Sequence, residues 1–366
     1  MKLRSQLFLS ALFTALVVAS PGCSQLMHAG GGGKRPGGHG GGGHSTGGTG
    51  QTGTPNPGTT VPGSDYFLDL KLNYAAAPIA TQNKFAANVA YGSNPNCTFD
   101  ILLPKGPAPA PLLIFIHGGG FTQGDKAAFF KKFGPQVAQL LDAGFAVASV
   151  NYRFLQNGPH GVMNSLADSR RCLQFIRYHA QELGVDKNRI GLMGASAGAG
   201  TSLWLAMHDD MADPASADPI ARQSTRVQAV IAMNTQGTYD LPAWDNIFGP
   251  VYGIRPSEDP RFRDKITEFY GISSYNQVND PQVLALRAEL DLPQLIDKGD
   301  PPLWLDSEHP NARPEKQGLL LHHPLHAKLI ADAAIKAGVE VEATPACINA
   351  VGKQESWVAF LMRNLN

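Results

Sequence analysis

In Gly194-Ala195-Ser196-Ala197-Gly198 a single hydroxyl sits among residues small enough for two backbones to pass close together. The apolar run 190–193 precedes it, and a helical pattern opens directly after it. A strand-to-helix turn this tight holds Ser196 in a sparsely populated backbone conformation and lifts its Oγ clear of the sheet edge. The helix start brings the amide of Ala197, and a partial positive charge, to an oxyanion forming on a substrate carbonyl. The chemistry open to such a group is nucleophilic acyl transfer.

A second cluster supports that chemistry. His117-Gly118-Gly119-Gly120-Phe121 follows the apolar run 112–116. Three glycines after a strand permit a loop whose amides point inward, so Gly118 and Gly119 are candidate donors completing the oxyanion hole begun by Ala197. A phosphate-binding loop would need a Gly-Lys-Ser/Thr ending, which is absent. His117 is read as a support for the loop.

A serine nucleophile needs a base and an orienting acid. The apolar run 303–306 ends in Asp306-Ser307-Glu308-His309, and His322-His323-Pro324 opens a later helical stretch. A helix that follows a parallel strand begins near that strand's carboxyl end, so these side chains reach the same side of the sheet as Ser196. His322 or His323 is the candidate base, with His309 in the same loop a further possibility, and Asp306 or Glu308 is the candidate acid. Proline after His323 also fits a plain helix cap.

The elements that must position these groups alternate. Strands are predicted at 98–103, 112–117, 146–152, 190–194, 227–233, 303–306 and 339–343, and helices at 128–143, 165–183, 197–208, 325–337 and 355–365. Gly144, Gly184 and Gly338 fit the ends of three helices. Strands apolar on both faces and separated by helices imply an α/β fold with a mostly parallel sheet covered on both sides. The stretch 240–300 breaks the pattern with proline and aromatic residues. It reads as an insertion that either packs as a structural excursion or covers the catalytic edge.

Charge narrows the partners. Residues 1–63 hold 17 of the 40 glycines, four cations and no acid, which leaves 26 cations against 30 anions in the rest of the chain, a net charge of −4 there. An acidic body without a Lys/Arg run argues against nucleic acid as a partner. Its eight histidines do not form a zinc spacing, so neither metal nor cofactor is expected. Cys97, Cys172 and Cys347 allow at most one bridge. Asp168 and Asp186 fit helix-end and loop caps.

HGGGF followed about 75 residues on by GASAG, with Asn151-Tyr152-Arg153 and Asp168 between them, resembles the α/β-hydrolase fold, nearest to hormone-sensitive-lipase-like and bacterial feruloyl- or acetyl-esterase-like carboxylesterases. The resemblance runs from about Tyr66 to the C-terminus and is most specific up to Met233. It implies a serine carboxylesterase, with acetyl or feruloyl esters of polysaccharides among its substrates. It also implies the order nucleophile, acid, base, with the histidine after the last strand. This chain departs there: 339–343 is followed by Thr344-Pro345-Ala346-Cys347, and no histidine occurs after His326. Hence a second expectation stands beside the first, a hydrolase homologue without turnover that binds a glycan or a protein.

The N-terminus reads as an address. Lys2 and Arg4 precede an apolar run, 7–19, and small residues follow at Ser20, Gly22 and Cys23. This is the layout of a secretory signal over 1–23, with Cys23 leaving two routes open, lipidation as a membrane tether or plain cleavage. Residues 24–63, glycine-rich and with His28, His39 and His44 in or beside the tract, read as a flexible spacer. The expected organisation is signal 1–23, linker 24–63 and hydrolase domain 64–366, in an exported protein.

Overall fold

The computed structural model describes residues 66–158 and 160–366. The leader 1–23, Cys23 and the spacer 24–63 lie outside the described residues. Nine strands form a single sheet there: β1 (Tyr74–Ala75), β2 (Lys84–Ala90), β3 (Thr98–Leu103), β4 (Ala110–Ile116), β5 (Ala146–Val150), β6 (Val185–Ala195), β7 (Ala229–Met233), β8 (Leu303–Asp306) and β9 (Val341–Ala343). Their order is β1-β2-β3-β5-β4-β6-β7-β8-β9. Pairings from β5 through β9 are parallel, and those of β1, β2 and β3 up to the β3–β5 contact are antiparallel.

The helices are α1 (Ala127–Lys132), α2 (Gly134–Asp142), α3 (Val162–Tyr178), α4 (Ala180–Leu183), α5 (Ala197–Met207), α6 (Trp244–Tyr252), α7 (Pro260–Tyr270), α8 (Pro281–Glu289), α9 (Leu292–Leu295), α10 (Gln317–Leu321), α11 (Pro324–Ala337) and α12 (Trp357–Leu365). The period-2 alternation of strand side chains divides the core between the two faces. Leu113 and Phe115 of β4 join Phe129, Val137 and Phe360 from α1, α2 and α12. Leu112, Ile114 and Ile116 join Leu173, Leu203 and Ile330 from α3, α5 and α11. Every residue of β4, β5 and β7 is buried, which explains sequences apolar throughout except for Ser149, whose hydroxyl donates to the Lys126 carbonyl.

Departures from the predicted elements have local causes. The helix expected over 128–143 is two helices, α1 and α2, because the chain turns at Phe133 and Pro135 cannot donate into a continuous helix. The stretch expected as 165–183 starts earlier and breaks at His179. Strand β2 has no counterpart among the predictions. Its sequence KFAANVA is mostly small and polar, and it is bulged at Asn88, whose φ is 52°.

The insertion is helical, carrying α6 to α9. Its aromatic side chains turn inward: Trp244, Phe248, Phe262, Phe269 and Tyr270 are buried in the same layer as α5 and α11. Cys97, Cys172 and Cys347 are all buried and unbridged. Burial pushes the thiols of Cys97 and Cys347 up to about 12, and Cys172 well above the ordinary thiol range.

Candidate active site

Sheet register brings the two glycine-flanked motifs together. Ile116 pairs with Gly194, so the end of β4 and the end of β6 lie side by side, with Met233 of β7 opposite Ala195. The chain then reverses into α5 through Ser196, which is at φ 53°, ψ −121°. A non-glycine residue there costs on the order of 1–3 kcal/mol. Two glycines make the reversal possible. A Cβ on Gly198 would lie 1.9 Å from the Ile116 carbonyl oxygen, and one on Gly118 would lie 2.6 Å from the carbonyl of Ala195. The Ser196 amide donates to Met233 O at 2.9 Å, and Tyr239 Oη donates to Ala197 O at 2.6 Å. These bonds fix the turn from both sides.

Among the described residues no acceptor takes the amides of Gly118, Gly119 or Ala197. Gly118 and Ala197 lie next to Ser196, whose own amide is committed to β7, and Gly119 follows Gly118 in the loop. The glycine loop is held from below. Tyr152 Oη donates to His117 O at 2.7 Å, and the two rings stack at 4.4 Å. Imidazole Nδ1–H of His117 donates to Gly118 O at 2.7 Å. Burial pulls the His117 pKa below its ordinary value. Asn151 accepts from the Lys126 amide at 2.7 Å and donates to Asp125 at 2.8 Å, tying the loop's far end to β5.

His322, at the C-terminus of α10, brings Nε2 to 2.7 Å from Ser196 Oγ. With Nε2 unprotonated, the hydroxyl donates to it, the geometry a general base requires. Burial, then the neighbouring His309 imidazole, hold its pKa below the ordinary histidine value, while the Gly318 carbonyl and Glu308 pull the other way.

His323, the other candidate base, is turned away. It caps α11, its Nδ1 accepting from the Leu325 amide at 3.1 Å, and its Nε2 lies 2.9 Å from Ala312 O and 3.2 Å from Tyr252 Oη. Adjacent residues at a helix start cannot present both side chains to one point, and proline at the next position fixes which one caps. Neither candidate acid reaches the imidazole. Asp306 Oδ1 accepts from Thr344 Oγ1. Glu308 is exposed, 3.6 Å from Lys132 Nζ and 3.2 Å from Asn234 Nδ2. An orienting carboxylate was expected at one of these positions; each has another partner instead.

Asp168 also differs from expectation. It is no helix cap but a buried carboxylate bridged by Arg153, with Nε at 2.8 Å from Oδ2 and Nη2 at 2.7 Å from Oδ1. This bidentate pair anchors the segment after β5 that carries Tyr152.

Sequence reasoning missed two residues. Asn234, at φ 52°, accepts from the Glu308 amide at 2.8 Å, and its own amide donates to Asp306 O at 2.8 Å, so it joins the ends of β7 and β8 next to Ser196. An asparagine directly after an apolar strand was the available signal. His326 is fully buried. Its Nδ1 accepts from the Gly237 amide at 3.0 Å and its Nε2 donates to Leu320 O at 3.0 Å, bracing the helix that ends in His322. Burial drives its pKa down to about 3. A histidine at helical spacing gave no hint of that.

Among the described residues no three His, Cys, Asp or Glu side chains converge as a metal site would require. Cavities of about 400 Å³, beside Thr81 and Leu141, and about 360 Å³, between α6, α9 and α11, are lined without Ser196.

The sheet order, the strained serine between β6 and α5, and the glycine loop after β4 are those of an α/β-hydrolase. The chain belongs to the BD-FAE family, whose sequence profile matches residues 99–291, just over half of its length. That match holds the elbow and the glycine loop and stops short of β8. The chain is 29% identical over 157 residues to a probable isoprenylcysteine alpha-carbonyl methylesterase of Arabidopsis thaliana, covering 42% of this chain and 31% of that protein. It is likewise 29% identical over 143 residues to a probable carboxylic ester hydrolase of Mycobacterium tuberculosis, covering 39% and 31%. The matched stretch thus spans about a third of each of these relatives. A truncated carbohydrate esterase from gut microbiota has a similar fold, with a TM-score of 0.57 at 17% identity over 80% of this chain and 97% of that one.

Proposed function

We propose that the protein is a serine carboxylesterase that works through an acyl-enzyme on Ser196, with His322 as general base. One observation carries this reading: Ser196 Oγ and His322 Nε2 are 2.7 Å apart beside the amides of Gly118 and Ala197, which have no acceptor among the described residues. The proton of Ser196 passes to Nε2 as Oγ bonds to the ester carbonyl carbon, and the carbonyl electron pair moves onto oxygen facing the amides of Gly118, Gly119 and Ala197. Collapse of that intermediate breaks the ester C–O bond, and the leaving alkoxide takes the proton from His322. Water then repeats the sequence on the acyl-enzyme, releasing the acid and restoring Ser196.

Relatives named for ester hydrolysis support the reaction class. The motif resemblance points further, to acetyl or feruloyl esters of polysaccharides, with short-chain acyl esters the simplest probes. Purified protein is expected to release p-nitrophenol from p-nitrophenyl acetate, and Ser196→Ala to lose that activity. Equal rates would end this reading. The absence of a carboxylate on the His322 imidazole among the described residues favours a second one, a binding module that retains the scaffold without turnover. Covalent labelling of Ser196 by a fluorophosphonate would sink that alternative. The leader suggests an exported protein tethered through Cys23, and a Cys23→Ser variant that stays in the membrane fraction would overturn the tether.

A further inference from the structure

We propose that His309 is a positioning residue for His322: it stacks on the imidazole and keeps Nε2 aimed at Ser196, the duty a carboxylate performs in a triad. This rests on the acyl-enzyme reading and adds to it the group that orients the base.

A base that accepts a proton along one lone pair must have its ring plane fixed. The usual device is a carboxylate on the far nitrogen. Here both nearby carboxylates have other partners, Asp306 with Thr344 and Glu308 with Lys132 and Asn234. The group lying along the ring is His309, with centroids 5.3 Å apart and planes 15° from parallel. That spacing falls in the range of offset aromatic stacking. His309 is itself fixed, because its chain neighbour Glu308 donates its amide to Asn234 Oδ1 at 2.8 Å and Ser307 Oγ donates to His322 O at 3.3 Å. The two strands of this loop are therefore cross-linked on either side of the stacked pair.

The titratable groups facing His322 are His309 and Glu308 from its own loop and His326 from α11, with Lys132 of α1 bound to Glu308 beyond them. A protonated His309 opposes protonation of His322 because like charges repel. Removing it raises the pH at which the base is lost.

The test is kcat/KM for p-nitrophenyl acetate across pH for wild type, His309→Ala, His309→Phe and Glu308→Gln, with Ser196→Ala as reference. His309→Ala is expected to lose about 10- to 100-fold, the scale of a small misplacement of a reacting group. His309→Phe keeps a ring in the stack. It should remain within a few-fold of wild type at its plateau, with the acidic limb of the profile moved to higher pH. Wild-type plateau rates in His309→Ala, with an unmoved limb, would overturn the proposal. So would a Glu308→Gln loss matching that of His309→Ala, because a carboxylate would then be the orienting group. If Ser196→Ala hydrolysed the ester as well as wild type, the acyl-enzyme reading itself would fall and this proposal with it. Should His309→Ala fail to fold, the Phe variant and its limb decide alone.

Discussion

The corner at Ser196 and the loop at His322, proposed as nucleophile and base, are built on opposite principles. Ser196, Gly118 and Ala197 are held by sheet register and by backbone approaches at Gly118 and Gly198 too close for a Cβ, so small changes there meet backbone. His322 sits at a helix end in a connection between β8 and α11, held by side-chain hydrogen bonds, an aromatic stack and two helix termini. The first region is rigid because the backbone leaves no alternative. The second is rigid only as long as a set of histidines keep their partners.

The sharpest way to break this comparison is at the base. His322→Ala should cost about 10⁴-fold or more in kcat/KM, as loss of a triad member does, measured with p-nitrophenyl acetate. A far smaller loss would mean that another group serves Ser196. Gly118→Ala should act through the backbone, since its Cβ would lie 2.6 Å from Ala195 O. Displacing an oxyanion donor should lower kcat about 10²- to 10³-fold. An unchanged kcat would show that the corner yields more than its packing implies.

Stability measurements sharpen the other half. His326 has a folded pKa of about 3, well below the ordinary histidine value. The unfolded chain therefore binds a proton that the folded chain does not across the interval between about 3 and about 6.5. Its contribution to stability is full above that interval and declines as pH falls through it, by about 1.4 kcal/mol per pH unit. Urea unfolding of wild type and His326→Gln from pH 7 to pH 4 should show the variant losing less stability on acidification. Equal slopes would remove His326 from the account. His323→Ala removes a cap and should cost about 1 kcal/mol in the same assay, with its effect on catalysis following from how far α11 frays.

The difference between the regions also explains what could be read from sequence. The elbow and glycine loop are encoded locally, in five consecutive residues each, since close backbone approach admits only glycine or alanine at fixed offsets. Parallel strands buried on both faces announce themselves as apolar runs, so the sheet was legible apart from the short edge strand β1 and the small, polar β2 beside it. The base loop was legible only as a shortlist. Which of His322 and His323 faces Ser196 depends on the cap and proline at the start of α11, and whether Asp306 or Glu308 meets the imidazole depends on Thr344 and Lys132, far off in sequence. His326 acts through contacts with no local pattern, and Asn234 was marked only by its place directly after an apolar strand.

Burial of the three thiols has a consequence for chemical labelling. With Cys97 and Cys347 raised to about 12 and Cys172 held well above the ordinary thiol range, almost no thiolate exists in this domain at neutral pH. On the acyl-enzyme reading, reactivity towards electrophiles in this domain falls on one oxygen. A mixture of iodoacetamide and fluorophosphonate should leave a single adduct within residues 66–366, on Ser196, and extra mass on a cysteine would report that the core had opened.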